Sequence, residues 1–343
     1  MEVLVTVGRI CCDAEGKMNS SSVLLEGSLK TSGGQSVHLS LSGVEEYSLF
    51  PGQVVNVEGR NGSGTELAAS TIQDDVALDR LPLSSQLTEP LSVVVSCGPF
   101  STFDNLLDEP LNELIGTLDS QPPDILILIG PFVDAEHPLI KDSKVNKTFD
   151  ELFKVMAKDK LDKMLKWKTS VLVVPSLRDV HHHCVYPQPP LQLEDKYENV
   201  YFLSNPSTVS LKGVTFGITS TDVLFHLGNH EINKGITGDR LGRLCHHLLK
   251  QQSYYPLYPP HKSVSIDYEQ FMSYGMMPVA PHVLLLPSDL RVFTKDVAGT
   301  LCVNPGRLAK RHGGGTYARL MIFPETASHG SIISSTVADV VRV

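Results

Sequence analysis

Asp124-Ile125-Leu126-Ile127-Leu128-Ile129-Gly130-Pro131-Phe132-Val133-Asp134 decides how the larger part of this chain folds. An unbroken run of branched aliphatic residues has no polar face to offer water. It reads as a strand covered on both sides, the pattern of a mainly parallel sheet between layers. Runs of the same kind stand at Leu91–Ser96, Ser170–Pro175, Val200–Leu203, Val214–Ile218, His282–Leu286, Thr300–Val303 and Thr316–Ile322. Between them, Phe103–Leu118 and Phe149–Trp167 carry apolar residues at three-four spacing, and Asp239–Gln252 reads as a third helix. Thr148-Phe149-Asp150-Glu151 opens the second helix with the pattern of a capping box. From Leu91 onward the chain is therefore α/β, a layered β-sandwich flanked by helices.

The first eighty or so residues differ. Val3–Cys11, Ser22–Ser28, Ser36–Ser42 and Val54–Gly59 are short β-favouring stretches split by Gly, Ser and Asn turns, with room for a fifth at Leu67–Ile72. That count fits an all-β OB-like barrel, with a small β-sandwich as the alternative. Gln73–Pro90 reads as a linker, so the expected domains are 1–85 and 86–343. The Pro-rich stretches Pro187–Pro190 and Pro256–Pro260 read as exposed loops.

A length of 343 residues suits two domains, and 41% hydrophobic with 20% charged residues is ordinary globular composition. The net charge of −9 opposes a main role in coating nucleic acid, which needs cations for phosphate. The acidity concentrates in residues 1–85, where five Lys/Arg face eleven Asp/Glu, a net −6. Tyr47 and Phe50 are the aromatics there, so the barrel lacks the basic groove and stacking platforms that single strands require. It reads as a protein-binding barrel. Cys11, Cys12, Cys97, Cys184, Cys245 and Cys302 form no C-x-x-C pair and suggest neither zinc ribbon nor disulfide framework. No stretch is apolar enough for a membrane span, and the N-terminus lacks a secretory pattern. A soluble protein of a reducing compartment is expected, and because its first residues already read as strand, something is expected upstream.

In α/β folds the loops at the carboxyl ends of strands carry function. Here they are Val95-Ser96-Cys97-Gly98-Pro99-Phe100, Leu128 to Asp134, Val174-Pro175-Ser176-Leu177-Arg178-Asp179, Leu285-Leu286-Pro287-Ser288-Asp289-Leu290 and Val303-Asn304-Pro305-Gly306-Arg307. Their order and spacing resemble the calcineurin-like metallophosphoesterases, whose strand ends carry D-x-H, G-D-x-x-D, G-N-H-D/E, a later His, then G-H-x-H and commonly N-P-G. The resemblance implies a site for two divalent cations, which needs carboxylate and imidazole ligands. Set on that pattern, Ser96 and Gly98 stand in place of the first Asp and His. Pro131 replaces the Asp of the second motif and leaves Asp134. Leu177 and Arg178 take the Asn and His positions of the third and leave Asp179, and Ser288 and Leu290 replace the last two His. Gly130, Asp134, Asp179 and Asn304-Pro305-Gly306 remain. The fold is expected to persist with its metal site erased, so neither metal nor cofactor is expected.

Three other features compete for attention. Gly228-Asn229-His230-Glu231 spells the third motif, but it comes late and follows His226, so it reads as a polar turn ahead of a helix. His181-His182-His183-Cys184 reads as a surface loop, because adjacent histidines share no common focus. Arg307 to Arg319 has four Lys/Arg and no acid, and reads as a connection with a solvated tip at Gly313–Gly315 that could touch phosphate.

An acidic OB-like barrel followed by a ligand-stripped phosphoesterase domain resembles the B subunits of eukaryotic replicative DNA polymerases, and within them the polymerase alpha branch. Gly130-Pro131-Phe132-Val133-Asp134, Val174 to Asp179, Phe202-Leu203-Ser204-Asn205-Pro206 and Thr300 to Arg307 carry that likeness. It implies a non-catalytic nuclear scaffold that binds the C-terminal zinc-binding domain of the polymerase alpha catalytic subunit. Primase and other replication factors would be reached through the complex during RNA–DNA primer synthesis, with weak or no direct DNA binding and no membrane. It also implies a helical domain and linker ahead of the barrel. The competing readings are the accessory chain of another replicative polymerase, a degenerate phosphoesterase acting through Asp134, Asp179 and His230, and direct primer–template binding through Arg307–Arg319.

Overall fold

The computed structural model describes residues 3–13, 15–74, 79, 87–324 and 332–343. The chain divides into two compact units, one of Met1–Asp79 with Val223–Ser263, the other of Arg80–Asp222 with Val264–Val343. Much of the sequence-predicted linker, residues 75–78 and 80–86 with its boundary at 85, lies outside the described residues.

In the first unit five strands close a barrel in the order Leu4–Cys12, Val23–Glu26, Ser36–Ser40, Glu66–Gln73, Val54–Arg60, the last pairing back on the first. The one parallel pair, Ser36–Ser40 with Glu66–Gln73, completes the closure, so the small open sandwich is not formed. Ile10, Val23, Leu39, Val57 and Leu67 fill the interior at every second position, which is how a strand divides its residues between core and water. Gly59 has to be glycine at the bulge where Val54–Arg60 meets its neighbour, since a Cβ there would stand 2.4 Å from the carbonyl oxygen of Ala68.

A division at residue 85 assigns Val223–Ser263 to the second domain, but the structure packs it with the barrel. The strand Ile232–Lys234 pairs antiparallel with Tyr47–Leu49, placing Ile232 opposite Leu49. Gly228-Asn229-His230 is likewise no turn but the end of a helix, Val223–His230. Glycine and asparagine are poor helix formers, yet Val223, Leu224 and Leu227 are buried, and that packing outweighs local preference.

In the second unit the reading of Ile125–Ile129 holds residue by residue. Ile125, Ile127 and Ile129 enter one buried cluster, while Leu126 and Leu128 enter another on the opposite face. Each such side chain contributes about 1.5–3 kcal/mol by leaving water. The six-stranded sheet runs Val200–Phe202, Ser170–Val174, Ile125–Ile129, Leu91–Cys97, Thr316–Ile322, Thr336–Arg342, its first four strands parallel. A five-stranded sheet runs Ser207–Leu211, Val214–Ile218, Val283–Leu285, Thr300–Asn304, Phe293–Val297. Val214, Phe216, Leu285 and Val303 of that sheet share the cluster of Ile125, Ile127 and Ile129. On the other face Leu111, Leu114 and Ile115 from the helix Glu109–Leu118, and Phe153, Ala157 and Leu161 from Phe149–Met164, cover Leu126 and Leu128.

The capping box forms as read: Thr148 Oγ1 accepts from Glu151 N at 3.2 Å, and Thr148 N donates to Glu151 Oε2 at 2.8 Å. The helix expected from Phe103 starts six residues late, at Glu109. Asp108 adopts a left-handed backbone with φ 52°, and Asn105 Oδ1 accepts from Leu107 N at 2.9 Å, so a turn occupies the segment instead.

Candidate functional site

The carboxyl ends of Leu91–Cys97, Ile125–Ile129 and Ser170–Val174 meet through backbone hydrogen bonds that continue the sheet, Gly98 N to Ile129 O and Gly130 N to Val174 O, both 2.8 Å. Asp134 and Asp179 then face one another across an isolated antiparallel bridge. The first three strand ends named in the sequence therefore converge.

Their side chains are already engaged. A Cβ on Gly98 would stand 2.0 Å from the carbonyl oxygen of buried Pro131, so the backbone leaves no room for an imidazole there. A Cβ on Gly130 would stand 2.4 Å from Asp179 Oδ2. The Asp179 carboxylate is buried and accepts from Phe132 N at 2.5 Å, Val133 N at 3.1 Å and Ser176 N at 2.8 Å. Burial pushes its pKa up to about 7 against the pull of these three N–H groups, with Asp134 adding repulsion. Asp134 is held as a fork by Arg178, whose Nε donates to Oδ1 at 2.9 Å and whose Nη2 donates to Oδ2. Leu177, between Ser176 and Arg178, is half-buried. Ser96 is fully buried, and its Oγ has no hydrogen-bond partner among the described residues.

The last two strand ends are knitted by Asn304. Its Oδ1 accepts from Ser288 N and Gly306 N, both at 2.9 Å, and its Nδ2 donates to the carbonyl of Leu290 at 3.2 Å. Ser288 Oγ in turn accepts from Leu290 N at 3.1 Å. Arg307, which the sequence places at a strand end and at the head of a basic segment that could touch phosphate, lies inside this centre instead. Only 7% exposed, it donates through Nε to Asp289 Oδ1 at 2.9 Å and through Nη1 to Cys97 Sγ at 3.2 Å, and pairs with Asp222 at 3.7 Å. Burial works against its charge, but these neighbours outweigh it and hold its pKa above the ordinary arginine value. Burial pushes the Cys97 thiol up, with Arg307 opposing. The sequence signal for the inward turn of Arg307 is its place directly after Asn304-Pro305-Gly306, at the end of a strand whose every residue is buried.

Arg307–Arg319 is consequently not one basic strip. Arg307 turns inward, Lys310 and Arg311 lie exposed at the hairpin, and Arg319 lies on the sheet opposite Asp339. His312 Nδ1 meets Asp104 Oδ1 at 2.8 Å. The histidine run also separates. The ring of His181 stacks on Phe153 at 4.2 Å rather than lying on the surface, and burial pushes its pKa down to about 4. His182 Nε2 meets the carbonyl of Pro189 at 2.8 Å, and His183 is exposed. Gln188, within a stretch expected to be an exposed loop, is buried and donates to Ser176 O at 3.0 Å.

In the first unit Glu231 is a structural carboxylate. It accepts from Arg243 Nε at 2.7 Å and Ser48 Oγ at 2.5 Å, and lies 3.4 Å from His247 Nε2. Burial alone would raise its pKa, but these partners pull it down to about 2. Ser48, His247 and Glu231 superficially make a hydrolytic set, since Ser48 Oγ is 2.9 Å from His247 Nε2. The roles do not match: the acid approaches the same Nε2, and His247 Nδ1 has no partner among the described residues. His230 is half-buried, its ring 6.5 Å from that of His261, which stacks on His226 at 4.2 Å.

Known proteins match both units. The family model for the DNA polymerase alpha/epsilon B subunit covers residues 93–295, and the model for the OB domain of the DNA polymerase alpha B subunit covers residues 1–75. The DNA polymerase alpha B subunit of mouse (Mus musculus) is 45% identical over 329 residues, 94% of this chain and 55% of its own length. Its namesakes from Drosophila melanogaster and Schizosaccharomyces pombe are 36% and 31% identical, over 98% and 96% of this chain and 55% and 62% of theirs. The chain thus spans a little over half the length of these relatives. A solved archaeal phosphodiesterase is 10% identical, covering 74% of this chain and 100% of its own at a TM-score of 0.35, too loose a likeness to bear on chemistry.

Proposed function

The chain belongs to the B-subunit family of DNA polymerases alpha and epsilon, and from that premise we propose that it is a non-catalytic scaffold of the DNA polymerase alpha–primase complex. Its barrel and its calcineurin-like domain, with the 1–85 and 86–343 division modified by the packing of Val223–Ser263, together hold the C-terminal zinc-binding domain of the catalytic subunit. Through it they tether polymerase to primase in the nucleus during primer synthesis. The alpha branch is favoured over epsilon by the alpha-specific OB-domain match over residues 1–75.

One observation carries the non-catalytic reading. Where the phosphoesterase pattern asks for ligands to two divalent cations, Gly98 has no room for a side chain, and Arg178 is forked onto Asp134. The residues therefore do not fit a two-cation centre. Asp179 spends its oxygens on three backbone N–H groups, and Ser96, Pro131, Leu177, Ser288 and Leu290 offer no carboxylate or imidazole. A guanidinium neutralises a carboxylate but has no open coordination position and cannot activate a water, which is what metal-assisted phosphoester hydrolysis requires. Arg178 and Arg307 supply fixed charge without Lewis acidity, a means of holding strand ends rigid.

Co-expression with the C-terminal domain of a polymerase alpha catalytic subunit, followed by size-exclusion chromatography, tests the reading. A one-to-one complex is expected, with the purified chain carrying no stoichiometric metal. Failure to co-elute, or metal-dependent phosphodiesterase turnover lost in Asp134→Ala, overturns it.

A further inference from the structure

Helix Tyr268–Tyr274, which contributes no residue to the strand ends described above, buries one side chain, Phe271, and leaves large apolar groups exposed. Met272 is 72% exposed and Tyr274 63%, with Tyr268, Met276 and Val185 also exposed. Scattered apolar exposure is ordinary, but here four exposed large apolar residues fall within residues 268–276. Tyr268 and Met272 are four apart and so form one ridge of the helix.

The platform beneath is fixed rather than frayed. Asp267 caps the helix, its Oδ1 accepting from Glu269 N at 3.0 Å and Gln270 N at 3.1 Å. Val185–Tyr186 pairs in parallel with Ser265–Ile266, and buried Tyr186 meets the Phe271 ring at 6.1 Å. Phe271 thus anchors the helix, and the adjoining Tyr268–Met272 ridge is exposed. Tyrosine and methionine are the side chains that interfaces favour, methionine because it adapts to varied shapes.

Charge selects the occupant. Asp267 and Glu269 border the ridge, and no lysine or arginine occurs between Lys262 and Arg291. These carboxylates disfavour an anionic bilayer or a nucleic acid, and a second copy docking through the same ridge would set like charges together. A ridge spaced four residues apart fits the groove of another helix. The geometry points to a docking site here for an amphipathic helical segment of a partner protein, with an apolar stripe flanked by lysine or arginine.

The probes are two synthetic helical peptides with one shared leucine stripe, flanked by lysine and arginine in the first and by glutamate in the second. Fluorescence anisotropy against the whole chain should show the basic peptide binding about tenfold tighter or more. Met272→Asp should weaken it about tenfold, and Glu269→Lys should shift preference toward the acidic peptide. Both residues are exposed, so both variants should retain the parent circular dichroism and melting temperature. Equal binding of the two peptides, or affinity indifferent to Met272→Asp, overturns the site. So does a Met272-dependent dimer, or Met272-dependent binding to phosphatidylserine vesicles or single-stranded DNA in place of peptide.

Discussion

Arg178 lies across Asp134 in a two-pronged contact, Nε on Oδ1 at 2.9 Å and Nη2 on Oδ2, joining the third strand end to the second. The acid is almost wholly buried while the guanidinium keeps an exposed edge, so the pair neutralises a carboxylate that water cannot reach. This is a planar ion-pair geometry that lysine could not reproduce.

Arg178→Ala should therefore cost about 1–3 kcal/mol, because it strands the buried Asp134 charge. Urea unfolding should show a lowered midpoint at unchanged slope. Asp134→Asn added to Arg178→Ala should recover part of the loss, since the stranded charge is then gone. A double variant as unstable as the sum of the singles would show that the two residues do not act as a pair.

Restoring the phosphoesterase ligands should fail for a reason of space. Ser96→Asp, Gly98→His and Pro131→Asp together would supply the donors that the phosphoesterase pattern places at the first two strand ends, yet a Cβ at 98 meets the Pro131 carbonyl oxygen at 2.0 Å. The triple variant is expected to lose stability and to show no rise in melting temperature with added manganese or zinc. Cation-dependent stabilisation with stoichiometric metal would mean that the loop backbone can still reopen the site.

How far the sequence disclosed all this depended on how local each cause was. Ile125–Ile129 was legible because its lack of any polar period has one packing solution, and Thr148 with Glu151 because a capping box acts within one turn. That Ser96, Gly98 and Pro131 carry no carboxylate or imidazole is visible in the letters themselves. The strands Ser207–Leu211, Phe293–Val297 and Thr336–Arg342 were not legible, since each lies at the edge of a sheet and mixes polar with apolar residues. Helix Val223–His230 was hidden by its glycine and asparagine, and the inward turn of Arg307 by the basic residues that follow it. Those features are set by partners distant in sequence: Leu49 for the Ile232 strand, and Asp222, Asp289 and Cys97 for Arg307.

Glu231 gives a stability test within the first unit. Its carboxylate is pulled down to about 2 by His247, Arg243 and Ser48 despite burial. A depressed carboxyl stabilises the fold above its unfolded pKa, and the contribution is lost as pH falls toward 2. Glu231→Gln should cost on the order of 2–4 kcal/mol at neutral pH, leaving Arg243 half-satisfied, and should flatten the acid limb below pH 4.5. Arg243→Ala should produce a similar loss, and a thermal-melt series across pH would reveal an unchanged acid limb if the network were idle.

His226 works in the opposite window. Its ring is buried between Tyr255, whose hydroxyl is 3.0 Å from Nδ1, and the stacked ring of His261, with Ser263 Oγ 3.4 Å from Nε2. Burial, then His261 and His230, push its pKa down to about 4, and Lys17 adds to the positive surroundings of His230. Each charged neighbour opposes protonation. The unfolded chain binds the proton near pH 6.5 and the folded one near 4, so stability falls as pH drops through that interval. The loss should approach about 2–3 kcal/mol, as expected of such a shift. His226→Gln, which cannot ionise, should lower neutral stability somewhat by losing the ring stack, yet make the fall in melting temperature between pH 6.5 and 4 shallower than in the parent. Equal slopes for parent and variant would place the acid sensitivity elsewhere, with His181 the next residue to substitute.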